Sequence, residues 1–327
     1  MRNIIPTTIA IIKDNLRSRT TIFFIIFFPL VLGIIFSLIT VTPQPHITVY
    51  VQGDNATQIA SYLNSSKLFI GIVGGNSSLV KLNQQVMFLN TTSKEIYYNQ
   101  LESNYVPVLQ AYVSSFPHKD SLKAEQLITK NTPVAYELSG IIGVLALSNG
   151  MLGVTGVGSG YYRDKLIDRL ASSPLKDYEW IVSLMIYEVV ITILSTVVVL
   201  ILGILLGFLP LLSLSFIGVL ALATLMFSGL GTIVFGVSPK DKIAISNTVA
   251  TVIVFPLMFI SNAFFYPTDF PAFFRLFANY QPVSIVNDII RDLLIYNEAP
   301  NPLYFVVIIV LTLIFIVIGS RLLKLRE

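Results

Sequence analysis

The stretch from Thr20 to Val41 carries no charged side chain. At about 1.5 Å of rise per residue, such a run in a helix crosses the roughly 30 Å hydrocarbon core of a bilayer. Inside that core each backbone N–H and C=O must be satisfied within the segment, which makes an isolated run helical. Five more apolar runs of spanning length follow, charged only at Glu188 and Arg321: Leu138–Ser159, Ile181–Leu209, Leu211–Val237, Ile243–Phe265 and Pro302–Leu322. Pro210 ends the third, and Pro256 kinks or thins the fifth. Only 12% of the residues are charged and 54% are hydrophobic, where a soluble domain carries about 25% charged residues. The fold class is therefore polytopic. A cleaved leader would have an apolar core of about 7–15 residues; the first run is longer, so it is read as a retained span.

The segment 42–137 differs in kind. It is polar, rich in Asn and Ser, and has no run of spanning length. Ile47–Val51, Leu68–Val73 and Gln85–Leu89 read as strands, Ala56–Leu63 as a helix capped by Asp54 or Asn55, and Tyr105–Phe116 as either. The expected fold is an all-α polytopic membrane bundle of six transmembrane helices with an inserted small α/β extracellular domain. All four Asn-x-Ser/Thr sequons, at Asn55, Asn64, Asn76 and Asn90, lie in this segment. Their confinement points outside, in a host that glycosylates.

Six spans put both termini on one side, and the distribution of cations chooses which. Arg2, Lys13, Arg17 and Arg19 precede the first span, and Arg163, Lys165, Arg169 and Lys176 lie between the second and third. Lys240 and Lys242 join the fourth to the fifth, and Arg321, Lys324 and Arg326 end the chain. The other side has six lysines spread over the large segment, plus Arg275 and Arg291. The termini are expected in the cytoplasm of a cell whose plasma membrane holds the chain. Residues 4–17 read as an interfacial helix with Ile5, Ile9, Ile12 and Leu16 on one face, either as a plain anchor or with a further role.

Several chemistries are unsupported. The chain has no cysteine, hence no disulfide, thiolate metal site or catalytic thiol, and His46 and His118 give no metal site. There is no G-x-x-x-x-G-K-[ST], G-x-S-x-G or H-E-x-x-H, so the chain is not expected to be an enzyme, nor to bind nucleic acid. What remains is polar chemistry in special places. Ser139, Gly143, Ala146, Gly150 and Gly153 place small side chains on one face of the second span, for close packing or for sliding. Glu188 is an acid roughly 12 Å inside the third span, either hydrogen-bonded to Ser183, Tyr187 or a neighbouring helix, or functional. Asp288, Arg291 and Asp292 fall within one helical turn, in reach of mutual pairing. The charged stretch Gly160–Trp180 between two spans reads as a helix over Tyr162–Ser172, stopped by Pro174. Its charges form either a solvated face or a docking face.

One span, a large external domain, then five spans with a charged loop between the second and third resembles the ABC-2 type permease family. Leu166–Pro174 is similar to that family's L-x-x-L-x-x-x-P loop, and Phe255–Pro267 to the end of its fifth span. Ala278–Arg291 is similar to its Pro…Asp-x-x-Arg segment, with Pro282, Asp288 and Arg291 at the matching positions. Two departures stand out. Arg163, Asp164 and Lys165 replace the family's Glu-x-Gly-Thr, and Ser261-Asn262 replaces its Ser-Gly. The resemblance implies a dimer, homo- or heteromeric, in which each permease docks a soluble ABC ATPase subunit carrying ATP and Mg, with no cofactor on this chain. Asp164, Lys165, Leu166, Asp168, Arg169, Leu170 and Pro174, with the N-terminal helix, would form the docking surface. Residues 266–301 would make two short helices dipping into the outer leaflet, and lipid-like or drug-like cargo would move outward. Two other functions remain: an ion-coupled secondary transporter, which should show inverted repeats with matching broken helices, and a receptor or assembly protein acting through its external domain.

Overall fold

A computed structural model describes residues 3–40, 47–66, 68–82, 86–98, 105–114, 123–126, 133–239, 242–265, 267 and 270–322. Arg2, His46, His118, Lys240, Asp241, Lys324 and Arg326 lie outside the described residues. The chain divides into two compact units, residues 37–135 and residues 1–36 with 136–327.

The smaller unit is built on a five-stranded sheet in the order β2-β1-β3-β4-β5. Its strands are β1 (Ile47–Gln52), β2 (Phe69–Val73), β3 (Val86–Asn90), β4 (Glu95–Tyr98) and β5 (Lys123–Gln126). β1 lies parallel between β2 and β3, β4 runs antiparallel to β3, and β5 is parallel to β4. Among the described residues three helices accompany it: α3 (Ala56–Asn64), α4 (Ser78–Leu82) and α5 (Val106–Ser114). Ala56, Ile59, Ala60 and Leu63 recur at helical spacing and are the buried face of α3. They pack with Val49, Val51, Met87, Leu89, Ile96 and Leu109, while Val86 and Phe88 face the other way, against Val80 of α4. The sheet is thus covered on both faces, as a parallel core requires. Tyr105–Phe116, open between helix and strand in the sequence, is helical over Val106–Ser114.

The larger unit holds α1 (Ile4–Leu16), α2 (Arg19–Thr40), α6 (Pro133–Ser148), a π-helical turn Asn149–Gly153, α7 (Val154–Arg163), α8 (Leu166–Ala171) and α9 (Asp177–Leu205). It continues with α10 (Leu214–Val237), α11 (Ala244–Phe259), α12 (Ala272–Tyr280), α13 (Pro282–Arg291), a second π-turn Asp292–Tyr296, and α14 (Pro302–Leu322). Among the described residues, four helices are long and apolar enough to cross a membrane: Val134–Arg163, α9, α10 and α14. The bent pair α1–α2, turning by 88°, makes a fifth if it counts as one span; Ile245–Phe259 is shorter. The protein is a multi-pass helical membrane protein.

Several boundaries differ from the sequence reading. The second span, read as 138–159, runs over Val134–Arg163, and the fourth starts at Leu214 instead of Leu211. The third span ends at Leu205 instead of Leu209, because Gly207 takes φ +88° and turns the chain before Pro210. The fifth helix ends at Phe259 instead of Phe265. The helix expected over Tyr162–Ser172 is two helices. α7 runs out to Arg163, and α8 starts only after Lys165, which sits at φ 53°.

α10 is the centre of the bundle, touching α14, α9, α7, α11 and the first π-turn. Gly229 lets it approach Phe315 and Ile316 of α14. Gly231, roughly 200° further round, lets it approach the main chain of Met151 and Gly150. Thr192, Thr224, Thr232 and Thr312 donate their hydroxyls to the carbonyl four residues back, so they present no unsatisfied donor to lipid. A Cβ on Gly150 would lie 2.9 Å from both Phe227 Cβ and Ser228 N, whereas one on Gly218 meets nothing within 4 Å. Gly150→Ala should therefore cost about 1–3 kcal/mol by overpacking, and Gly218→Ala nothing. Thermal unfolding of the detergent-solubilised chain reads both, and equal melting points would deny the close approach.

Candidate functional site

The connection between α7 and α9 is an anchored helix with a charged outer face. Ile167 of α8 and Leu175 are buried against Trp180, Ile181, Met185 and Phe235. The hydroxyls of Ser172 and Ser173 donate to the carbonyls of Asp168 and Leu170, closing the end of α8. Leu166 and Leu170, four residues apart on α8, are half-buried, and Ile167 between them goes deeper. Asp164, Lys165, Asp168, Arg169 and Pro174 are exposed. The only ion pair described among them, Arg163 to Asp164 at 3.1 Å, is 78% and 54% exposed and worth little.

α1 packs along the first turns of α9. Asn3 Nδ2 donates to Glu179 Oε2 at 3.3 Å, Ser183 Oγ donates to the Ile4 carbonyl at 3.0 Å, and Thr8 Oγ1 donates to the Ser183 carbonyl at 3.4 Å. The same Glu179 oxygen accepts from the N–H of Lys176, an N-capping contact at the start of α9. The packed face is Thr8 and Ile11, with Ile12 and Leu16 half-buried. Ile5 and Ile9, expected on one stripe with them, are 70% and 45% exposed. α1 therefore has two apolar aspects, one on the bundle and one left outward.

Midway along the rod Val134–Arg163, Glu188 of α9 meets the first π-turn. Its carboxyl fills the space that a Cβ on Gly153 would need. Neither Ser183 nor Tyr187 bonds it: the Ser183 hydroxyl goes to Ile4 and Glu179, and Glu188 Oε1 has no hydrogen-bond partner among the described residues. Gly143 and Gly150 of the small-residue face similarly admit Asn287 and Phe227, so each of its three glycines receives a particular neighbour.

At the far end of that rod lies a polar hub. Arg291 stacks over the Tyr136 ring, 3.6 Å from its centroid. It donates to the carbonyls of Asn262 at 2.6 Å and Tyr136 at 3.3 Å, and pairs with Asp288 at 3.5 Å. Asn262 Nδ2 donates to Asp288 at 2.7 Å, and Asn262 Oδ1 accepts from Asn287 at 3.0 Å. Burial pushes the Asp288 carboxyl up to about 6, against the pull of Arg291 and Asn262. Burial, with the carboxylates of Asp288 and Glu298 adding to it, pushes Asp292 up to about 7. The structure joins Asp288 with Arg291 but leaves the Asp292 side chain outside the pair. Pro282 only opens α13 at its first turn, the position that suits proline.

Residues 119–295 match the family described as ABC-2 type transporter. The chain belongs to the ABC-2 type transporter family. No curated protein matches its sequence. ABC-2 proteins are the membrane subunits of ABC transporters, so this chain partners an ABC ATPase subunit. The match takes in α8, Glu188 and the hub; α1 lies before it.

Sequence reasoning missed Ile167, Glu179, Asn262, Asn287 and Tyr136. Glu179 had a signal, an acid three residues after the chain re-enters a helix. Asn262 and Asn287 had one too, as amides among apolar residues. The Tyr136 carbonyl had none. Asn262→Gly removes the side-chain bonds to Asp288 and Asn287 and should cost about 2–3 kcal/mol, read as a lower melting temperature. Arg291→Lys should cost a similar amount, because an ammonium cannot reproduce the planar stack and fork.

Proposed function

We propose that this chain is the six-span permease half of an ATP-driven exporter, with α8 as the element that receives force from the ATPase. The observation that carries this is α8 itself. It is held from beneath by Ile167 and Leu175, its charges are turned out, and it joins the ends of two long helices. Such an element transmits a push instead of absorbing it. α1, bonded to the base of α9 through Glu179 and Ser183, extends the same end of the bundle and completes the docking face. With the termini cytoplasmic by the positive-inside bias, α8 faces the ATPase and residues 42–137 lie outside the plasma membrane. α2 and α11 complete the six spans. The exposed apolar faces of α2 and α11 suit pairing with a second permease and a path for amphipathic, lipid-like or drug-like cargo.

Two experiments test this. The tagged chain, isolated in mild detergent from its own host, should bring down a soluble subunit with a Walker motif at stoichiometric yield. Asp168→Lys combined with Arg169→Glu should cut that association at least tenfold without changing the amount of permease in the membrane; unchanged association rules out α8 as the dock. For direction, inside-out vesicles should accumulate a fluorescent amphipath on addition of ATP, and right-side-out vesicles should not.

A further inference from the structure

The four sequons look equivalent in the sequence, and the fold separates them. β1, β2 and β3 are parallel, and their register aligns Val51 with Val73 and Gln52 with Asn90. Their carboxyl ends therefore share one edge of the sheet, with neighbouring strands about 4.8 Å apart. Asn55 follows β1 by three residues, Asn76 follows β2 by three, and Asn90 closes β3. Three sequons from distant parts of the chain are thus gathered on three adjacent loops.

Two of the three share a local geometry, and among the described residues all three leave the amide nitrogen open. Asn90 Oδ1 accepts from the N–H of Thr92 at 3.0 Å and of Ser93 at 3.2 Å. Asn76 Oδ1 accepts from the N–H of Ser78 at 3.3 Å and from Ser77 Oγ at 3.1 Å. In both, the amide oxygen is held by the very residue that supplies the sequon's hydroxyl, an Asx turn. Asn55 stands exposed at φ 58° ahead of α3, with no side-chain cap bond. Among the described residues, Nδ2 of each of the three donates no hydrogen bond.

Asn64 is different. Gly71 N–H donates to its Oδ1 at 2.8 Å, and its Nδ2 donates to the Gly71 carbonyl at 3.1 Å. Its amide thereby satisfies the backbone of an edge strand, a group that would otherwise be open to foreign pairing. The nitrogen that would take a sugar is already in use.

We propose that the carboxyl edge of the α/β unit is N-glycosylated at Asn55, Asn76 and Asn90, and that Asn64 is not a glycan site. The donor is an oligosaccharide linked through (pyro)phosphate to a polyprenyl lipid. Asn Nδ2 bonds to the anomeric carbon, the bond from that carbon to the phosphate oxygen breaks, the lipid phosphate leaves, and the amide gives up one proton. The proposal rests on the reading that residues 42–137 lie outside the cell. Glycans there would cover one edge of the sheet and leave the α3 and α4 faces clear.

The test uses the full chain in membranes of its native host, with glycopeptide mass spectrometry and a separate probe of sidedness. Because the chain has no cysteine, Ser61→Cys on exposed α3 gives a single thiol for a membrane-impermeant maleimide. The expected result is labelling on intact cells, sugar masses on the peptides of Asn55, Asn76 and Asn90, and none on that of Asn64. The triple variant Asn55→Gln, Asn76→Gln, Asn90→Gln should migrate as a single sharper, faster band, and Asn64→Gln should leave migration unchanged. Bare asparagines at the three positions in a chain labelled from outside would overturn the proposal and leave the topology intact. Equal occupancy at Asn64 would overturn the selectivity. Labelling only in inside-out vesicles would overturn the topology and the proposal together.

Discussion

Lipid gives no reward for pressing one apolar helix against another, so closeness inside a membrane comes from shape and from hydrogen bonds. In this protein the shape is supplied by two glycines of α10, each with a glycine on the helix it meets. Gly229 and Gly319 open the seam with α14, and Gly231 with Gly150 opens the seam with the rod Val134–Arg163. Most of the larger unit is fixed by those two seams. The rod's position sets where Glu188 finds Gly153, and α10 presents Phe235 to the anchor beneath α8.

Hydrogen bonds do the corresponding work at the other end. Among apolar residues an unpaired amide or guanidinium is costly, and the hub spreads that cost over mutually bonded groups. Asn262 is its pivot, using its carbonyl, its amide oxygen and its amide nitrogen on three partners. The ABC-2 family resemblance has Ser-Gly at this point. A glycine could offer Arg291 the carbonyl but could not bind Asn287 or Asp288, so this chain holds α13 more firmly to the end of α11 than the simpler pattern would.

Legibility in the sequence followed the range of the forces. The apolar runs, the strands β1 to β3 and the helical spacing of α3 were visible because they are local patterns. The family assignment rested on the short similarities around Leu166–Pro174 and Phe255–Arg291, and the match over 119–295 agrees with it. What escaped was set at a distance. The face of α1 that is buried depends on α9 lying beside it, so Ile5 and Ile9 could not be told from Ile11 by spacing. The break at Lys165 depends on Ile167 and Leu175 seeking the Trp180 cluster. Tyr136 enters the hub only because α6 happens to start beside Arg291.

The rod itself has a mechanical consequence. Val134–Arg163 is one helix of 30 residues, roughly 45 Å long. One end is joined to α8, the other lies against Asn262's neighbours and Asn287, and Gly150 and Gly153 are clasped between α10 and Glu188 near its middle. The clasp coincides with the π-turn, a place where helices bend most readily. A rod held at both ends and again near its middle has one place left to flex, and here the bend point and the clasp coincide. A displacement arriving at the α8 end would reach the hub end only as far as Glu188, seated against Gly153, keeps that joint stiff.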